Sequence, residues 1–146
     1  MDQQWIVKTI NTIASMGADE AGAANRLAFT VADKEARSYV ASIMESLGMS
    51  VRSDAIGNVI GRLEGLELQL PPVAMGSHLD TVPHGGHYDG VVGVVGALAA
   101  VGRLKAAGPL RRTVEVIVFV AEESSRFSHS TMGSKAMTGS ANLNAW

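Results

Sequence analysis

Twelve consecutive residues without a charge, Val91 to Gly102, constrain this 146-residue chain more than any other segment. A membrane span needs ~20 apolar residues, and Arg103 and Lys105 follow at once, so the run predicts a buried helix from Gly90 to Ala107. Gly108-Pro109 closes it, and Thr113 to Ala121 is a β-branched apolar run suited to a buried strand. Before the helix, Pro71-Pro72 blocks helical structure and Val73-Ala74-Met75 opens a strand that ends near Ser77. Strand, long helix and strand make a right-handed crossover. It sets the two strands parallel, with their carboxyl ends on the sheet edge where α/β proteins place ligands.

Upstream, Ile6, Ile10 and Ile13 recur at helical spacing between Asp2 and Met16, and Gly17 ends that helix. Thr30-Val31-Ala32-Asp33 has a capping-box pattern, after which Ala36, Val40, Ile43 and Leu47 line one face before Gly48 stops the helix. Met49 to Ser53 and Asn58 to Leu63 read as short strands around an Asp54 to Gly57 turn. Gly93, Gly96, Ala97 and Ala100 predict a long helix lying close to the sheet, Arg111-Arg112 a solvated loop, and Gly133 to Gly139 a further short helix. No repeat, low-complexity tract or linker interrupts the order. The sequence stops at Asn144-Ala145-Trp146, before the further strands a three-layer α/β domain ordinarily carries, so residues 1–146 read as the first part of a longer architecture.

Composition narrows the partners. Twelve Lys and Arg against fourteen Asp and Glu give a net charge of -2 with no run of like charge, so neither nucleic acid nor an anionic membrane is an expected partner. Without cysteine, His, Asp and Glu are the strong ligands available to a metal. The segment Met1-Asp2-Gln3-Gln4-Trp5 has no basic stretch leading into an apolar one, so the expected location is cytoplasmic.

Two clusters fall at the predicted ligand edge. His78-Leu79-Asp80 follows the third strand and Ala121-Glu122-Glu123 the fourth. Residues two apart in an extended segment point the same way, so Asp80 is expected to take the spare imidazole N–H of His78 and fix which ring nitrogen faces a metal. Asp89, at the predicted N-cap of the long helix, offers two carboxylate oxygens that could bridge a pair of cations. Glu122 and Glu123 are adjacent and project differently, so one can coordinate while the other accepts a proton. Taken singly, each has a plainer reading: a paired strand-end histidine, a solvated edge, an ordinary helix cap. Their coincidence at one edge points to a metal site. The Gly85 to Gly90 stretch lacks both the P-loop ending and the dinucleotide-binding spacing, and Asp89 would repel phosphate, so nucleotide binding is rejected.

The runs Gly76-Ser77-His78-Leu79-Asp80-Thr81-Val82-Pro83 and Gly85-Gly86-x-Tyr88-Asp89-Gly90 resemble the aminoacylase/carboxypeptidase superfamily of dinuclear zinc hydrolases. Within it, Gly-Gly-x-Tyr-Asp-Gly, Glu122 to Phe127 and Gly133 to Gly139 are similar to the N-carbamoyl-L-amino-acid hydrolase, β-ureidopropionase and allantoate amidohydrolase group. Asn25 to Thr30 and Asp54-x-Ile56-Gly57-Asn58 fit it too. Ser124 and Lys135 depart from that group's usual Gly and Arg. The resemblance implies the N-terminal portion of a three-layer α/β/α zinc-peptidase-like catalytic domain with a mixed, mostly parallel sheet, its lid and dimerisation domain lying elsewhere. It implies metal ligands His78, Asp89 and Glu123, general base Glu122, and Asp80 as the residue that orients His78. The cofactors implied are two divalent ions, zinc or else manganese or cobalt. The substrate would be a small N-carbamoyl-amino acid or related ureido acid cleaved at a C–N bond, and the assembly a homo-oligomer. His87 and Arg126 are candidate substrate contacts; His84 and His129 read as loop histidines. The family's further ligands and lid have no counterpart here, so the chain alone is expected to turn over little or nothing. Two alternatives compete. In one, a non-catalytic module self-associates through apolar strand residues such as Val114, Val116 and Val118. In the other, the chain is an aminoacylase or dipeptidase, against which the Gly-Gly-x-Tyr-Asp-Gly and Ser-Arg-Phe runs argue.

Overall fold

A computed structural model describes residues 1–142, and residues 143–146, which include the terminal Asn144-Ala145-Trp146, lie outside the described residues. Helix α1 (Gln3–Ser15) starts where the Asp2 carboxylate accepts the Trp5 amide, satisfying an N–H that has no partner inside the helix. Helix α2 (Val31–Ser46) follows Thr30, whose hydroxyl accepts the Asp33 amide at 3.3 Å, while the buried Asp33 carboxylate reaches back to the Phe29 amide at 2.8 Å. That reciprocal pair is the expected capping box, displaced by one residue on its return arm. Strands β1 (Ser50–Ser53) and β2 (Val59–Leu63) flank the turn at Asp54, whose carboxylate accepts the amides of Gly57 and Asn58. Then come β3 (Val73–His78), α3 (Val91–Ala107), β4 (Val114–Phe119) and the short α4 (Met132–Met137).

The four strands form one sheet in the order β1-β2-β4-β3. β3 and β4 run parallel, with His78 beside Phe119, as the α3 crossover requires. The sheet is mixed, and within these four strands the parallel pair is the minority: β1 pairs β2 and β2 pairs β4 antiparallel. The reason is local. A turn as short as Asp54–Gly57 can only reverse the chain, so the β1–β2 hairpin adds to β4 from its free side.

Apolar faces of α1, α2 and α3 share one core with alternate strand residues, including Ile13, Val40, Met44, Leu98, Val59 and Val116. These three helices therefore make one layer on one face of the sheet. Helix α3 is apolar nearly all round because α1 lies on it from one side and β3 and β4 from the other. Gly93 permits that approach, since a Cβ there would stand 2.7 Å from the Ser77 Cβ; Gly96 has open space and plays no such part. Val114, Val116 and Val118 lie in this core, at 6% exposure or less, so they are not a surface for another copy. The predicted self-association through them is corrected by the chain's own helices, which cover that face. Arg111 and Arg112 are exposed loop residues as expected, Arg111 pairing with Glu67. Among the described residues no helix is long and apolar enough to cross a membrane.

Candidate active site

Parallel β3 and β4 end side by side, and the two chemical clusters follow their last residues. His78 is the final residue of β3, and its ring is nearly buried. Its Nδ1 lies 3.0 Å from the backbone carbonyl of Asp80, a pure acceptor, so Nδ1 carries the proton and Nε2 presents its lone pair when the ring is neutral. Nε2 faces two carboxylates, Glu122 at 3.6 Å and Asp89 at 3.8 Å. The expected side-chain orienter is thus a main-chain one: the Asp80 carboxylate stands 3.8 Å from Nδ1, beyond hydrogen-bonding distance. That carboxylate is buried and instead accepts the amides of Glu122 at 3.2 Å and Glu123 at 3.0 Å.

A glycine brings α3 onto this histidine. Gly90 caps the helix at φ +66°, and a Cβ there would stand 2.5 Å from the His78 carbonyl oxygen and 2.7 Å from its ring. Asp89 therefore precedes the cap and its side chain makes no capping bond; that side chain is 75% exposed at the rim. The predicted N-cap is displaced because only glycine tolerates both that backbone and that approach.

β4 ends at Phe119, two residues before the predicted Ala121, because Val120 gives its amide to the buried Asn58 side chain and Ala121 enters the left-handed region at φ +50°. The resulting turn projects Glu122 and Glu123. Burial pushes the Glu123 carboxyl above its ordinary range; Glu122, Asp89 and Asp80 push the same way, against the opposing pull of His78. This crowding of negative charge around an imidazole is a donor set chemically suited to a divalent cation with nitrogen and oxygen ligands. Among the described residues, however, no three such side chains are closed onto a common point.

His87 is half-buried in the loop before α3, with its Nδ1 buried and unpartnered. Arg126 is exposed; its guanidinium donates to the Ala28 carbonyl and lies over the Phe127 ring, which makes it a brace between loops. His84 is exposed and pairs with Asp19 at 2.8 Å.

Two residues beneath the site belong to runs that carry the family resemblance but had no site role assigned from sequence. Arg26 is fully buried and donates to the carbonyls of Leu79, Ile13 and Met16, tying the end of α1 to the segment between His78 and Asp80. Desolvation lowers its pKa, opposed by Asp33 and Asp80. Asn58 donates to Asp54 and to the Gly133 carbonyl while accepting from Val120. Charged or amide side chains inside apolar-flanked runs were the available signal, but their partners lie 53 and 75 residues away in sequence.

Comparison with known proteins fits this arrangement. The profile of Peptidase family M20/M25/M40 matches residues 74–145, the half that carries both clusters. Ureidoglycolate hydrolase of Oryza sativa subsp. japonica is 44% identical over 98% of this chain, and allantoate amidohydrolase of Escherichia coli 40% over 96%. A hydantoinase/carbamoylase family amidase from Burkholderia ambifaria superposes with a TM-score of 0.93 at 35% identity over 99% of this chain. The chain belongs to the hydantoinase/carbamoylase family. It spans 30% and 34% of the two curated relatives and 36% of that solved chain. The two curated relatives are named as hydrolases, one of ureidoglycolate and one of allantoate.

Proposed function

We propose that this chain carries part of the catalytic domain of a metal-dependent amidohydrolase that cleaves a C–N bond of a small ureido acid. The observation that supports it best is His78 with Nδ1 committed to a main-chain carbonyl and Nε2 turned toward Asp89 and Glu122. His78, Asp89 and Glu123 would hold the cations, zinc or else manganese or cobalt, which supply Lewis acidity toward the ureido carbonyl. Glu122, half-exposed beside them, takes a proton from the attacking water on a carboxylate oxygen and returns it to the departing nitrogen. His87 and Arg126 remain candidate substrate contacts. N-carbamoyl-amino acids, ureidoglycolate and allantoate all present the required ureido group. The setting of this reading is a cytoplasmic homo-oligomer, with little turnover from these residues alone.

The test is a Mn²⁺ titration of the isotopically labelled chain. Paramagnetic broadening centred on His78, Asp89, Glu122 and Glu123, and lost in Asp89→Ala, supports the reading. Broadening elsewhere, or none, overturns it. Normal ammonia release that vanishes in Glu122→Ala would overturn the expected low turnover while supporting the catalytic assignment.

A further inference from the structure

The turn that projects Glu122 and Glu123 is held on both sides of its backbone. Its carbonyls face α4: Val120, Ala121 and Glu122 accept the amides of Gly133, Met132 and Thr131 at 3.0, 3.0 and 2.7 Å. Its amides face side chains from elsewhere in the chain: Val120 donates to Asn58, and Glu122 and Glu123 donate to the two oxygens of Asp80. Neither support is local, since Asp80 lies 42 and 43 residues from the amides it binds and Asn58 lies 62 from Val120. A carboxylate accepting two consecutive amides is a charge-assisted, bidentate arrangement, stronger and more directional than a neutral bond.

We propose that the Asp80 side chain is the positioning residue of the two-glutamate turn, and that His78 is oriented independently by the Asp80 main chain. One residue then performs two separable tasks. Its carbonyl sets the His78 tautomer, which no substitution at position 80 removes, since the carbonyl belongs to the backbone. Its carboxylate sets where Glu122 and Glu123 leave the turn. Asp80 is placed for this by Arg26, which grips the Leu79 carbonyl, and by the reciprocal bonds between Arg26 and Thr81. A positioned base loses most of its advantage when displaced by about 1 Å, so the turn matters to the chemistry proposed above.

The role of the glutamates rests on that reading; the hydrogen bonds do not, and the experiment separates the two. In the labelled wild-type chain, scalar couplings across hydrogen bonds are measured from the Glu122 and Glu123 amide nitrogens to the Asp80 carboxylate carbon, together with the ring-nitrogen shifts of His78. Couplings from both amides, with His78 protonated on Nδ1, are expected. Absence of both couplings overturns the proposal without any variant needing to fold. In Asp80→Asn the amide exchange of Glu122 and Glu123 should quicken at least tenfold while the His78 ring shifts stay in place. A His78 tautomer change with unaltered amide exchange would show that the carboxylate serves the histidine, and would overturn the proposal even if cation binding were intact.

Discussion

The helical layer and the ligand edge of the sheet bury their residues by different physics. In the layer, Val94, Val95, Leu98 and Val101 of α3 are completely buried among other aliphatic side chains, an attraction that is non-directional and scales with area. At the edge, Arg26, Asn58 and Asp80 are as deeply buried, yet each is held by directed bonds to backbone groups distant in sequence. The layer can relax around a loss. The edge cannot, because a buried donor or acceptor left without its partner retains the whole desolvation cost.

Four substitutions would break or sharpen this contrast. Arg26→Ala strands the carbonyls of Leu79 and Met16, each costing ~1–3 kcal/mol, while the Ile13 carbonyl keeps the Met16 amide, so the variant should fail to give a cooperative thermal transition. A transition within a few degrees of wild type would remove Arg26 as the keystone. Leu98→Ala opens a cavity in the layer at ~2–5 kcal/mol, readable by urea unfolding, but should leave the amide shifts of Glu122 and Glu123 where they are. Movement of those shifts would mean that the two regions are coupled. Asn58→Ala should cost ~1–3 kcal/mol and, unlike Leu98→Ala, accelerate amide exchange at Val120.

The smallest effect concerns pH. Asp19 is held below its usual carboxylate range by the Ala23 amide, then by His84. Its contribution is present above its unfolded value near 3.8 and is lost as pH falls through the lower folded value. Asp19→Asn should therefore be less stable than wild type at pH 6 and converge with it on acidification. Curves separated by a constant gap would assign the loss to packing instead.

Part of this was legible from residue order. The α3 crossover, the Thr30 helix cap and the placing of His78 and the two glutamates at one edge follow from period and punctuation, which act over a few residues. The less legible part lay in long-range pairing. An Asp two residues after a His suggests a side-chain contact, and only the folded segment after β3 shows its carbonyl taking the imidazole while its carboxylate accepts from the neighbouring strand's turn. Asp89 looked like a cap until the His78 ring required glycine at the next position.

By itself the sequence determined which elements form, that β3 and β4 run parallel, and which residue types gather at their ends, because apolar periodicity and crossover handedness are local properties of an L-amino-acid chain. Only the tertiary structure decided that β2 joins β4 antiparallel, that Arg26 and Asn58 underpin the site, and which atom of Asp80 serves which neighbour. Those outcomes depend on hydrogen bonds whose partners are brought together solely by folding, and a buried polar group commits to whichever partner the completed packing leaves within about 3 Å.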